Sequence, residues 1–155
     1  MAYLPKRFFI ISILFGIIFG VYLSVYSENT NKEKRHITVS FQKVSVTAEI
    51  ADSNALRVLG LSGRKSLSDK EGMWFIFPSD GYHSFWMKEM HFPIDIIWLD
   101  KNLRVIYIKE NATPESYPET FIPFVADRFV LEVPAGFTQE YDVFIGDHVS
   151  VYKTT

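Results

Sequence analysis

The chain has 155 residues, a formal net charge of −2 and no cysteine. This length allows one domain plus an appendage. The lack of cysteine excludes disulfides, thiolate zinc sites, iron–sulfur clusters, a cysteine nucleophile and a lipoprotein anchor cysteine. The slightly negative charge gives no reason to expect a nucleic-acid partner, which would require a basic face.

The first segment with a clear pattern is an apolar run near the N-terminus. The nineteen residues Phe8–Tyr26 carry no charge, and thirteen of them are Phe, Ile, Leu or Val. This length matches one helical span of the hydrocarbon core, which takes about 20 residues. Lys6 and Arg7 precede the run, so the positive-inside rule predicts a cytoplasmic N-terminus and a domain on the extracytoplasmic side, in the periplasm or at the cell exterior.

A cleaved signal peptide is the main alternative, and a buried core helix is a third interpretation. Val25-Tyr26-Ser27 would serve as a cleavage site, although the run exceeds the roughly 7–15 residues of a usual signal core. Cleavage there would make the protein secreted. Residues 1–27 are therefore predicted to be a transmembrane anchor or signal peptide, residues 28–36 a polar tether, and residues 37–155 the folded domain.

The domain begins with two predicted strands followed by a short helix. Ile37–Phe41 and Val44–Ile50 have strand composition, and the second alternates apolar and polar side chains. Asp52 and Ser53 are both good N-cap residues, and apolar residues follow them at helical spacing. The pattern predicts a helix from Asn54 to about Leu61.

The most apolar part of the domain lies in the middle of the chain. Met73–Phe77 is a continuous apolar run that predicts a buried strand, and Ser79-Asp80-Gly81 predicts a turn after it. The stretch Ser84–Leu99 is interpreted as two strands broken at Phe92-Pro93. In the second of these strands, period-two alternation places Asp95 on the face of Ile97 and Leu99 and opposite to Ile94, Ile96 and Trp98.

Similar patterns predict the rest of the domain. They are a turn at Asp100–Asn102 leading into a strand Leu103–Lys109, a long surface loop Asn111–Pro123, a strand Arg128–Val133, a helical turn Phe137–Tyr141 and a last strand His148–Tyr152. About eight short strands with one brief helix predict a mostly β fold, a small sandwich or barrel.

Seven short motifs occur in order along the domain and cover nearly all of the chain from about Val44 to Val151: Glu49–Ser53, Gly60–Arg64, Gly72–Pro78, Phe85–Lys88, Pro93–Ile97, Glu132–Gly136 and Gly146-Asp147. In these motifs the domain resembles the family called Domain of Unknown Function 192, a widespread prokaryotic family of small, often exported proteins. The resemblance implies a compact, jelly-roll-like β fold and no established biochemical activity. Where an Asn-Thr pair commonly follows the family's Lys, this chain has Glu89 and Met90 after Lys88, so a site formed by that pair would be altered.

Five residues are the candidates for a common polar patch: Arg64, Trp86, Lys88, Asp95 and Glu132. Lys88 and Asp95 stand among Trp, Met and Ile, and an unpaired buried ion costs roughly several kcal/mol. Lys88 taken alone is also interpreted as a solvated strand residue whose stem covers Trp86. The functional interpretation is a shallow pocket in which Trp86 or Trp74 stacks on a small polar or glycan-like ligand, or a protein partner binds. The alternative is a set of structural ion pairs, with Asp95 bonded to Arg64, to Lys88, or to a helix or turn N–H.

Two other functions stay open at this point. One is an envelope hydrolase with Asp95 and Glu132 as a carboxylate pair, which requires a separation of roughly 5–9.5 Å. The other is a structural interaction module that acts through the Asn111–Pro123 loop or an exposed strand edge. No cofactor or metal is predicted, because the four histidines show no metal-ligand spacing. The predicted partners are the membrane, through the N-terminal helix, and a small polar ligand or an envelope protein.

Overall fold

The computed structural model describes residues 35–153 and folds them into a mostly β domain. The segment predicted to be a membrane anchor or signal peptide lies outside the described residues, as does most of the predicted tether. Within residues 35–153, no helix has the length and apolar character needed to cross a membrane.

Nine strands, two short α-helices and one 3-10 turn make up the described domain. In chain order they are β1 (His36–Ser40), β2 (Ser45–Ala51), α1 (Asn54–Leu59), β3 (Glu71–Gly81), β4 (Phe85–Trp86), β5 (Ile94–Leu99), β6 (Val105–Ala112), the 3-10 turn Pro114–Ser116, β7 (Thr120–Phe121), β8 (Asp127–Pro134), α2 (Phe137–Glu140) and β9 (Ser150–Lys153).

Seven strands form one sheet in the order β6-β5-β8-β3-β2-β1-β9, and β4 pairs with β7 separately. Only the neighbours β2 and β3 run parallel, which requires a crossover that α1 and its flanking loops provide. An isolated bridge between Arg104 and His148 connects the residue before β6 with the loop before β9. The sheet is nevertheless not closed, so the predicted sandwich or barrel is corrected to one open sheet with a small second one.

Both faces of the large sheet carry an apolar core. On β5, Ile97 and Leu99 belong to the core of the first face, while Ile94, Ile96 and Trp98 belong to the core of the second. All five side chains are fully buried. The alternation predicted for this strand is therefore confirmed, and its nearly continuous apolar sequence follows from burial on both faces.

Three predicted elements differ from the structure. Ser79–Gly81 are the end of β3 and not a turn, because a register shift against β8 between Ile76 and Gly81 accommodates Pro78, which has no N–H to donate. The strand predicted from Ser84 contains only Phe85–Trp86. The predicted loop Asn111–Pro123 contains the 3-10 turn and β7. The helical turn predicted at Phe137–Tyr141 is confirmed as α2, Phe137–Glu140.

Strand β8 lies near the centre of the sheet, between β5 and β3, and carries Glu132. Its close approach to β3 depends on Gly72. A Cβ atom at that position would lie 2.7 Å from the backbone oxygen of Glu132, closer than real Cβ contacts allow. Glycine at position 72 therefore lets the backbones of β3 and β8 approach each other closely beside Glu132.

Candidate functional site

A cavity of about 210 Å³ opens on the second face of the sheet, between α1, β3 and β4. Helix α1 and the turn after it form one side, and aromatic residues of β3 and β4 form the other. Glu132 also lines the cavity; the aromatic residues are Phe75, Phe77, Phe85 and Trp86. Pockets for drug-sized ligands have volumes of about 300–1,000 Å³, so this cavity suits a smaller molecule.

Helix α1 is held in place by its cap and by one arginine. The Ser53 hydroxyl oxygen accepts the backbone N–H of Leu56 at 3.3 Å, which satisfies a donor at the start of the helix. Arg57 Nη1 donates to the backbone oxygens of Asp52 at 2.8 Å and Ile76 at 2.9 Å, so it ties the helix to β3. Gly60, with φ of +51°, ends the helix beside the cavity.

Glu132 is the unusual polar group of this cavity. Its cross-strand neighbours on β3 and β5 are Met73 and Ile96, so its side chain shares the second face with the apolar core there. Glu132 is 5% exposed, and its Oε2 has no hydrogen-bond partner among residues 35–153. Burial raises the pKa of Glu132 to about 8, and the charge of Arg64 opposes this rise only in part. The carboxyl is therefore mostly protonated at neutral pH.

Arg64 acts on Glu132 through its charge without lining the cavity. Both terminal nitrogens of its guanidinium donate to the Glu49 carboxylate, with Nη1 2.5 Å from Oε1 and Nη2 2.7 Å from Oε2. These hydrogen bonds raise the pKa of Arg64, and the charges of Glu49, Glu132 and Glu71 act in the same direction. The sequence-based candidate Arg64 is thus committed to Glu49, a residue outside the predicted patch.

The side chains of Trp86, in β4, and of Lys88, two residues later, both lie on the exposed side of the chain. Trp86 is 48% exposed and lines the cavity. The Lys88 side chain is half exposed, and its Nζ lies 3.9 Å from Glu89 Oε1. The alternation of this segment buries Met87 and turns Lys88 to solvent, which agrees with the interpretation of Lys88 as a solvated strand residue and not with a buried ion among apolar side chains.

Asp95 lies on the opposite face of the sheet from Glu132. It pairs with Val133, whereas Glu132 pairs with Ile96, and directly opposed residues share a face. Asp95 is fully buried and accepts four hydrogen bonds: from the backbone N–H groups of Asn111, Gly136 and Thr138 at 2.8, 3.2 and 2.9 Å, and from the Thr138 hydroxyl at 2.7 Å. Asp95 therefore serves a structural junction, satisfied by N–H groups as the sequence allowed.

The structure thus brings together three of the five sequence-based candidates. Trp86 and Glu132 line one cavity, and Arg64 acts on the buried carboxyl. Lys88 and Asp95 do not belong to this cavity. With Asp95 and Glu132 on opposite faces, the carboxylate pair required for an envelope hydrolase is not formed.

Sequence reasoning did not find a third buried carboxyl group, Asp127, beside His83. Asp127 Oδ2 lies 2.7 Å from His83 Nδ1, and its Oδ1 accepts the His83 backbone N–H at 3.0 Å. Burial raises the pKa of Asp127, and the contacts with His83 oppose this. The imidazole stacks on Phe77 with centroids 3.5 Å apart. The two residues are 44 positions apart, so no local spacing signals the pair.

Among residues 35–153, no three metal-ligating side chains are grouped to hold an ion.

Comparison with known proteins places the chain in a family. The model of Domain of Unknown Function 192, described as "uncharacterized ACR", matches residues 36–151. A proposed transcription regulator from Sinorhizobium meliloti 1021 is similar in structure, with a TM-score of 0.70 and 26% identity over 76% of this chain and 93% of that one. A protein of unknown function from Novosphingobium aromaticivorans DSM 12444 has a TM-score of 0.66 and 30% identity over 74% and 83%. No curated protein matches. The chain belongs to the Domain of Unknown Function 192 family.

Proposed function

We propose that this domain binds a small molecule in the cavity between α1 and β4. The apolar body of the ligand packs against the aromatic wall, and one polar group reaches Glu132. Glu132 lines the cavity, and the observation that carries this proposal is its buried Oε2, which has no hydrogen-bond partner among residues 35–153. Such a group costs roughly 1–3 kcal/mol, which a ligand donor or acceptor would recover.

The rim of the cavity also favours ligand binding. Val58, Leu59 and Trp86 all line it and are 66%, 56% and 48% exposed. An exposed apolar cluster around a concave site with one buried polar group is typical of small-molecule binding. The small cavity volume, together with the flat ring of Trp86, favours a ligand with a single ring.

This proposal retains a ligand pocket at Trp86, but the charged residues that bind the ligand differ from those predicted. A small polar or glycan-like ligand was expected at Trp86, Lys88 and Asp95; Glu132 replaces the latter two as the polar partner. We also propose that Phe8–Tyr26 anchors the protein in the membrane with the domain outside the cytoplasm, or is removed so that the protein is secreted. The uncharged run behind Lys6 and Arg7 supports this location.

Three single-ring probes test the binding function: 2-phenylethylamine, 2-phenylethanol and phenylacetate. We expect at least one of them to bind the full-length protein in isothermal titration calorimetry. Replacing Trp86 by Ala should weaken binding about fivefold, because a stacking contact contributes about 1 kcal/mol. The control Tyr152→Ala removes another exposed aromatic ring, on β9, and should leave Kd unchanged. Equal losses in both variants, or no binding of any probe, would contradict the proposal.

A further inference from the structure

The charges around Glu132 are unbalanced in favour of acids. Arg64 is the cation whose charge acts on Glu132, yet it binds both oxygens of Glu49 and is also within reach of the charge of Glu71. With Arg57, which also lines the cavity, two guanidinium groups stand against three carboxyl groups. Among the described residues Glu132 forms no ion pair of its own and its Oε2 has no hydrogen-bond partner, so an ionised Glu132 lacks a committed counter-charge.

One aromatic ring of the cavity lining suits a cation. Aromatic ring faces attract ammonium and guanidinium groups, and Trp86 lines the cavity with its side chain half exposed. The ring of Phe77 is already occupied, because the guanidinium carbon of Arg57 lies 5.4 Å from its centre and the His83 imidazole stacks on it. Arg57 is itself tied to the backbone oxygens of Asp52 and Ile76 and forms no ion pair with Glu132. A cation from a ligand would therefore complete the site.

We infer that the ligand is an amine, a single-ring apolar molecule with a primary ammonium group that pairs with the carboxylate of Glu132. This inference rests on the proposed function and names the ligand class for the same cavity. Binding transfers the carboxyl proton of Glu132 to the solvent, while the ligand keeps its own ammonium proton. The ammonium then donates to Oε2, and its charge replaces the missing counter-charge.

Proton release makes the binding of an amine depend on pH. Burial holds the pKa of Glu132 at about 8, so a ligand that needs the carboxylate must displace this proton at lower pH. The charged groups that face Glu132 are Arg64 with its partners Glu49 and Glu71, and Arg57 from α1. Arginine stays charged at all pH values used, and measurements begin at pH 6, above the ordinary range of carboxyl pKa values.

The same three probes distinguish this inference from the proposed function. For the full-length protein we expect 2-phenylethylamine to bind at least about tenfold more tightly than 2-phenylethanol at pH 8, and phenylacetate to bind most weakly. The Kd of the amine should fall roughly tenfold between pH 6 and pH 7 and level off above pH 8, while the Kd of the alcohol stays constant. Calorimetry in two buffers of different ionisation enthalpy should show release of close to one proton at pH 7.

Two variants and three outcomes complete the test. Glu132→Gln should remove the preference for the amine and the proton release, whereas Glu110→Gln, an exposed carboxyl on β6, should retain both. If the variant Glu132→Gln does not fold, proton release measured on the unaltered protein still tests the inference. Equal or tighter binding of the alcohol or of phenylacetate overturns the inference and leaves the proposed function standing. Failure of all three probes overturns both.

Discussion

Glu132 and Asp95 show how the same chemical group acquires different roles from its surroundings. They sit on adjacent strands, one register step apart, and both are buried. Asp95 accepts four hydrogen bonds, whereas Glu132 Oε2 accepts none within residues 35–153. A buried oxygen that accepts hydrogen bonds is satisfied, whereas a buried oxygen without a donor is costly. Asp95 therefore stabilises the fold, and Glu132 Oε2 is the atom that the proposed ligand would satisfy.

The raised pKa of Glu132 predicts how stability depends on pH. The folded state keeps this proton up to about pH 8, whereas the unfolded chain releases it near the ordinary value of 4.5. Between these values the folded state binds more protons, so the free energy of unfolding falls as pH rises, by up to about 1.4 kcal/mol per pH unit. Urea denaturation of the full-length protein at pH 5, 6, 7 and 8 measures this slope.

The variant Glu132→Gln isolates the contribution of this carboxyl. Gln does not ionise, so the variant should show a flatter profile and gain stability relative to the unaltered protein as pH approaches 8. The matched surface variant Glu110→Gln should keep the original slope, because the carboxyl at position 110 is exposed. An unchanged slope in Glu132→Gln would show that Glu132 does not hold its proton in the folded state.

At the scale of elements, Asp95 connects three parts of the chain. From β5 it receives the backbone N–H of Asn111 near the end of β6, and those of Gly136 and Thr138 at the start of α2. Asn111 and Gly136 both have positive φ angles, +46° and +87°. The carboxylate therefore accepts hydrogen bonds from backbone N–H groups that these turns leave without strand partners.

Removing this carboxylate should destabilise the domain more than removing any one of its partners. Asp95→Ala leaves three backbone N–H groups and one hydroxyl without an acceptor, at roughly 1 kcal/mol or more each, so we expect a loss of at least about 3 kcal/mol. Thr138→Val has nearly the same shape and removes one hydroxyl donor, so it should cost about 1 kcal/mol. Chemical denaturation at pH 7 compares the two variants, and equal losses would contradict the junction role.

For the whole molecule, the two faces of the sheet differ in the elements that pack on them. The core of the first face contains Phe137 of α2. The core of the second face contains Phe85 of β4 and Phe121 of β7, and the cavity lies on this face between α1 and β4. The proposed binding cavity and the first core therefore lie on opposite sides of one sheet.

The proposed location of the molecule is tested in intact cells that produce the full-length chain. We expect an added protease to cut the domain from outside, and the protein to stay with the membrane pellet after alkaline extraction. A cytoplasmic marker protein, cut only after lysis, is the control. Mass spectrometry of the purified protein identifies the alternative of cleavage near Ser27, in which case the protein would leave the pellet. Full protection of the domain until lysis would contradict export.

Patterns confined to a few neighbouring residues were sufficient for much of the fold. The alternation in β5, the capped helix after Ser53, the strand pairing across Asp100–Asn102 and the family motifs all depend on residues close in sequence, and the structure confirms them. The extent of β3 and the open sheet were not predicted, because strand pairing across long separations sets register and closure.

The site required tertiary structure for the same reason. Trp86 and Glu132 are both among the five sequence-based candidates, but no local pattern distinguishes the satisfied Asp95 from Glu132, whose Oε2 is unsatisfied. The donors of Asp95 are up to 43 positions away, and the partner of His83 is 44 away. Burial and hydrogen bonding are properties of contacts between distant segments, so sequence names the ionisable groups and only the packed sheet decides which of them remains unpaired.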